Sequence, residues 1–112
     1  MYVSEFSADV VTRYDVATRL GKRIQLPSDF GPRHIILNTD ESKAYVIGEL
    51  SGKVVVIDTE NDSVIQTVCA DSLHARGCAD IHLSPDGKFL YASVRLQNDG
   101  IAIFKVDSDG TL

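Results

Sequence analysis

Apolar residues in this chain gather into short runs divided by polar, turn-forming stretches. AYVIGEL, KVVVIDTE and SVIQTVCA are rich in Val, Ile, Tyr and Thr, residues that suit a pleated, half-buried strand. TDES, LSGK and TEND stand between such runs and carry the residues that favour turns. Further on, SPDGK holds Pro85, which presets φ, and Gly87, which accepts a positive φ. No segment keeps a helical period beyond a turn or two. ADSLHARG (70 to 77) comes nearest and reads as a loop. The pattern predicts strands near 2–6, 10–16, 22–26, 33–38, 43–49, 53–58, 63–69, 79–84, 89–94 and 100–106.

The runs repeat. LNTDESKAYVIGELSGKVVVIDTE and LSPDGKFLYASVRLQNDGIAIFKVDSD, set 46 residues apart, bring Asp40 onto Asp86, Tyr45 onto Tyr91 and Leu50 onto Leu96. One added loop residue then aligns Val54–Ile57 with Ile101–Phe104. An earlier partial copy sets Tyr2-Val3 on Tyr45-Val46 and Tyr14-Asp15 on Ile57-Asp58 at an offset of 43. Such periods match four-stranded propeller blades, about 40–50 residues each. The expected fold is therefore all-β, a partial β-propeller of four-stranded antiparallel blades. An incomplete blade is expected over 1–30, a full blade over 31–77 and an incomplete one over 78–112. Closed propellers have roughly four to eight blades, so about two and a half blades are expected to leave most of a ring outside these residues. Repeats bury their faces only against neighbours. The chain alone is thus expected to be marginal, or to self-associate through apolar outer faces of its first and last blades.

Composition narrows the function. Apolar residues make up 44% of the 112, enough for a packed core rather than a disordered tail. The net charge is −5 with no cluster of Lys or Arg, which argues against a nucleic-acid or anionic-membrane surface. No apolar run approaches the roughly 18–20 residues of a membrane helix. Met1 leads straight into Tyr2-Val3-Ser4, so no signal peptide is read. Two cysteines, Cys69 and Cys78, make no disulfide framework, and a reduced, cytoplasmic protein is expected.

Candidate chemistry lies where inner strands begin and in the adjoining loops, because propeller ligands usually sit at one mouth of the central channel. Gly31-Pro32-Arg33-His34 sets a fixed cation and a titratable ring at one such start. The Arg33 fork suits a carboxylate or phosphate; the competing reading pairs Arg33 with an acidic neighbour and uses His34 as an inter-blade hydrogen bond. Glu49 and Arg95 occupy equivalent loops of adjacent blades. They would face one shared site, with Glu49 as acid or base, or form a surface pair worth less than about 1 kcal/mol. Asp80, His82 and Cys78 are expected on one face of an inner strand, since strand side chains alternate. Cys69, His74, Cys78 and His82 have zinc-like spacing but no paired C-x-x-C; buried thiols and an inter-blade histidine are the preferred reading, with no metal and no cofactor. Tyr45 and Tyr91, at matching positions, are expected in the inter-blade core.

Taken together, GPRHIILNTDESKAYVIGEL, SGKVVVID, ADIHLSPDGKFLYASVR and IAIFKVDSDGTL resemble the lactonase family of seven-bladed propellers. That family includes the propeller-type 6-phosphogluconolactonases and the fungal 3-carboxy-cis,cis-muconate lactonizing enzymes. The resemblance covers most of the chain and is clearest from 31 to 112. It implies work on a small-molecule lactone, such as 6-phosphogluconolactone in the oxidative pentose phosphate route. By the same resemblance Arg33 and Arg95 bind substrate carboxylate or phosphate, Asp80 joins them in binding, and Glu49 is the acid or base. His34 or His82 orients neighbours or shuttles a proton. Two positions depart from the family: Gly48 stands where Asn usually precedes the glutamate, and Val94 where Asn often precedes the arginine. The family site also draws on a histidine from an earlier blade, so these residues alone are expected to be inactive. The alternative is a non-catalytic propeller segment serving as a binding or structural module.

Overall fold

The structure, a computed structural model, describes residues 1–70, 76–96 and 99–112. Among them ten strands form three antiparallel sheets. The first holds β1 (Tyr2–Glu5), β2 (Val10–Tyr14) and β3 (Gly21–Gln25), with a 3₁₀ turn at Phe6–Ala8 between the first two. β4 (Pro32–Leu37), β5 (Lys43–Gly48), β6 (Lys53–Asp58) and β7 (Ser63–Cys69) form the second, ordered β4-β5-β6-β7. The third holds β8 (Ile81–Leu83), β9 (Phe89–Val94) and β10 (Gly100–Lys105). Up-and-down four-stranded order in the middle sheet is that of a propeller blade. No helix among the described residues is long and apolar enough to cross a membrane.

The middle sheet explains the unbroken apolar runs. Ala44 pairs Ile57 and Val46 pairs Val55; these four face the first sheet with Val11, Ile24, Leu26 and Phe30. Tyr45 pairs Val56 and Ile47 pairs Val54; these face the third sheet with Cys78, Ile81, Leu90, Ala92 and Val94. β5 and β6 are buried on both faces, so alternation cannot show in them. β7 and β10 lie at sheet edges and do alternate.

Cys78 and Tyr91 depart from expectation. Cys78 does not share the face of Asp80 and His82. It is buried in the core beside Ile81, whereas Asp80 and His82 are exposed. β8 begins only at Ile81, so alternation does not reach back to Cys78. The two outer faces also differ. On the third sheet Ile101 and Ile103 are 67% and 64% exposed. On the first, the face turned away from the middle sheet carries an ion network: Thr12 Oγ1 donates to Glu5 at 2.8 Å, and Arg23 lies 3.8 Å from Glu5. Tyr45 is buried as expected, while Tyr91, whose ladder partners are Ile103 and His82, is only half-buried.

Candidate functional site

Arg33 and His34 sit at a break in the β4–β5 ladder, between the Pro32–Gly48 and Ile35–Val46 pairs. A bulge re-aims side chains and is common beside functional sites. Here it leaves two consecutive side chains, one cationic and one titratable, exposed together. Ser4 Oγ of β1 donates to the Arg33 carbonyl at 2.9 Å and ties the bulge to the first sheet.

Glu49 follows β5 and Arg95 follows β9, 46 residues apart, and equivalent loops of adjacent sheets bring them together. Glu49 Oε1 lies 3.4 Å from Arg95 Nη2 and 3.6 Å from Arg33 Nη1. One carboxylate oxygen therefore stands between two guanidiniums. The Arg95 fork is held at its other side, where Nε donates to the Gly77 carbonyl at 3.1 Å.

Asp80 stands between two histidines. His82 Nε2 is 2.8 Å from Asp80 Oδ2, and His34 Nδ1 is 3.7 Å from Oδ1. The His82 hydrogen bond, then the Ile81 N–H, hold the Asp80 carboxyl below the usual carboxylate range. In the tautomer whose Nε2–H donates to Asp80, the His82 ring carries its acceptor at Nδ1. Ser93 of β9 fixes the Asp80 backbone: its Oγ accepts from Asp80 N at 2.8 Å and its N–H donates to Asp80 O at 3.0 Å. Sequence reasoning passed over Ser93, because nothing in SVR marks it apart from an ordinary strand serine.

All six candidate residues are thus brought into two adjoining groups, joined through the consecutive Arg33 and His34. Their side chains are 31–69% exposed, so the groups form an open surface. An open recess of about 460 Å³, lined by Ser28, Asp29, Leu50, Ser51, Lys53 and Arg76, includes none of them. Gly48 is fitted to its surroundings: a Cβ there would meet Ser51 Oγ and lie 2.6 Å from the Phe30 carbonyl. In this chain no asparagine fits at that position without movement. Of the zinc-like series, Cys69 is exposed and Cys78 buried, and His74 lies outside the described residues. Among the described residues no group of three or more His, Cys, Asp or Glu is arranged to hold a metal ion.

Chemically, the arrangement offers a paired-cation surface for an anionic group, a carboxylate between those cations, and a carboxylate-oriented imidazole alongside. Comparisons with known proteins agree on its setting. A 6-phosphogluconolactonase of Formosa agariphila is 33% identical over 98% of this chain and 33% of its own length. A crystal structure from Bacteroides uniformis, assigned as a 6-phosphogluconolactonase, is 44% identical, with a TM-score of 0.88 over 98% of this chain and 35% of that one. The Pseudomonas aeruginosa periplasmic gluconolactonase is 31% identical, with a TM-score of 0.83 and coverage of 98% and 35%. The chain spans about a third of the length of these relatives. The family described as "Lactonase, 7-bladed beta-propeller" matches all of residues 1–112, and the chain belongs to that family.

Proposed function

We propose that the protein containing this chain hydrolyses a sugar-phosphate lactone such as 6-phosphogluconolactone, and that these residues supply one wall of its active site. The observation that carries the reading is the meeting of Arg33, Glu49 and Arg95 from two sheets beside an Asp80-bound His82. Arg33 and Arg95 hold the substrate phosphate, where guanidinium forks give charge-assisted hydrogen bonds. Glu49 keeps both forks aimed at the site and is the nearest acid or base to an anion bound there. His82, its ring oriented by Asp80, takes a proton from water through Nδ1 as the water oxygen attacks the lactone carbonyl. The ring C–O bond then breaks, and the departing oxygen takes the proton held at His82 Nδ1, giving the hydroxyl of the open acid. His34 lies 3.7 Å from the second oxygen of Asp80.

Such a reaction belongs to the oxidative pentose phosphate route and goes with cytoplasmic residence. A periplasmic relative exists in P. aeruginosa, and cell fractionation distinguishes the two locations.

The test is lactone hydrolysis by the full-length protein and its Arg33→Ala, Glu49→Gln and His82→Ala variants. Arg33→Ala should raise KM, and His82→Ala should lower kcat by about 10²-fold or more. Wild-type rates in both Arg33→Ala and Glu49→Gln would remove the assignment.

A further inference from the structure

Asp9 lies outside both groups of site residues, and no sequence motif marks it. It has a positive φ of 53°. Its place in the repeat is that of Gly52, 43 residues on, where φ is 66°. The two residues do the same backbone work. Asp9 O accepts from Leu26 N at 2.9 Å, and Gly52 O accepts from Ala70 N at 2.9 Å. Glycine meets the backbone requirement at the equivalent turn, so the carboxylate of Asp9 is an addition that the turn itself does not need.

That carboxylate reaches across to the loop ahead of Arg33. Oδ1 accepts from Gly31 N and Oδ2 from Asp29 N, each at 2.8 Å. From Gly31 the contacts continue. Gly31 O accepts from Glu49 N at 2.8 Å, Glu49 O accepts from Gly77 N at 2.8 Å, and Gly77 O accepts from Arg95 Nε at 3.1 Å. One line of hydrogen bonds therefore runs from Asp9 through Gly31, Glu49 and Gly77 to Arg95, crossing all three sheets. Gly31 itself is constrained: its φ is +62°, and a Cβ would lie 2.7 Å from Leu50. A residue with this little room transmits a shift to Pro32 and Arg33 instead of absorbing it.

We propose that Asp9 is a positioning residue for the Arg33–Glu49–Arg95 group, setting the spacing of its two guanidiniums through the Gly31 loop. The inference rests on the function proposed above as far as catalysis goes, and on geometry alone for the hydrogen-bonded line. Asp9→Gly removes the carboxylate and keeps the turn. Asp9→Asn keeps one acceptor oxygen, enough for the Gly31 contact.

In the full-length protein, Asp9→Gly should speed amide hydrogen exchange at Glu49 and Gly77. It should raise KM for 6-phosphogluconolactone by about tenfold, since misplacement by about 1 Å can reach 10²-fold in rate. The pH profile of kcat should stay in place, because no proton-transferring group is altered. Asp9→Asn should fall between Asp9→Gly and wild type. Unchanged exchange at Gly77 together with unchanged KM overturns the inference, as does a mere loss of folded protein with KM intact. If Arg33→Ala leaves KM unchanged while Asp9→Gly still loosens Gly77, the catalytic reading falls and the positioning line stands.

Discussion

Tyr45 shows how one side chain fastens two sheets. Its ring is fully buried between the middle and third sheets, and its hydroxyl donates to the Gly110 carbonyl at 2.7 Å. Burial, with Asp40 and Asp109 nearby, pushes the phenol up to about 12. The folded state thus holds this proton more tightly than the unfolded one, and stability should fall as pH rises from about 10 through that value. Tyr45→Phe leaves the Gly110 carbonyl unpaired and should lower unfolding stability by about 1–2 kcal/mol. Denaturant melts check the stability loss, and an alkaline ultraviolet titration should show a late-ionising tyrosine that Tyr45→Phe removes. Asp62 does the equivalent work between the first and middle sheets. Arg13 donates to its two oxygens at 2.7 and 2.6 Å, Lys22 lies 3.6 Å away, and the Asp62 side chain is only 4% exposed. The Arg13 hydrogen bonds hold its carboxyl low. The resulting stability is present above the ordinary carboxylate pKa, near 3.9, and is lost as pH falls below it. Asp62→Asn should cost about 1–3 kcal/mol at neutral pH. Its gap from wild type should close in acid, as denaturation across a pH series would record.

At the scale of elements, the strands were readable because each run of β-formers ends in turn chemistry and recurs at a fixed period. An offset of 46 residues carries β9 onto β5 to the residue, and one of 43 carries β1 onto the last four positions of β5. The inner strand β8 starts two residues later than its pattern suggests, because Ala79 and Asp80 bond to Ser93 while the Asp80 carboxylate takes the Ile81 N–H. The 3₁₀ turn at Phe6–Ala8 left no mark at all, since three residues hold no period. The site was legible in the same uneven way. Arg33, Glu49 and Arg95 stand out by charge and by equivalent position. Asp9 and Ser93 do not, because a partner 20 or 22 residues away, or a backbone amide on the next strand, is a product of folding and not of local pattern. Cys78 lies outside the reach of alternation, because β8 begins only at Ile81.

For the molecule as a whole, the two outer faces have different characters. The first sheet ends in the Glu5, Thr12 and Arg23 network, whose polar groups satisfy one another or meet water. The third presents Ile101, Ile103 and the edge of Phe89, apolar surface that water leaves uncompensated. Expressed alone, the 112-residue chain should associate through that third sheet. Ile101→Lys with Ile103→Lys should return it toward the monomer in sedimentation velocity, whereas Val3→Lys on the opposite face should change little. Equal association in all three chains would show that the third sheet is not the sticky one.

The doubly covered strands β5 and β6 carry a hazard during synthesis. While a ribosome is still extruding residues past 70, Tyr45, Ile47, Val54 and Val56 have no third sheet to lie against. For that interval the nascent chain displays Val54 and Val56 of the run Val54–Ile57, four β-branched residues with no charge or proline among them, the kind of segment that zips onto its own copies. Lys53 and Asp58 bracket it and act as gatekeepers. Slow translation beyond this point, or a shortage of chaperone, would be felt at this run.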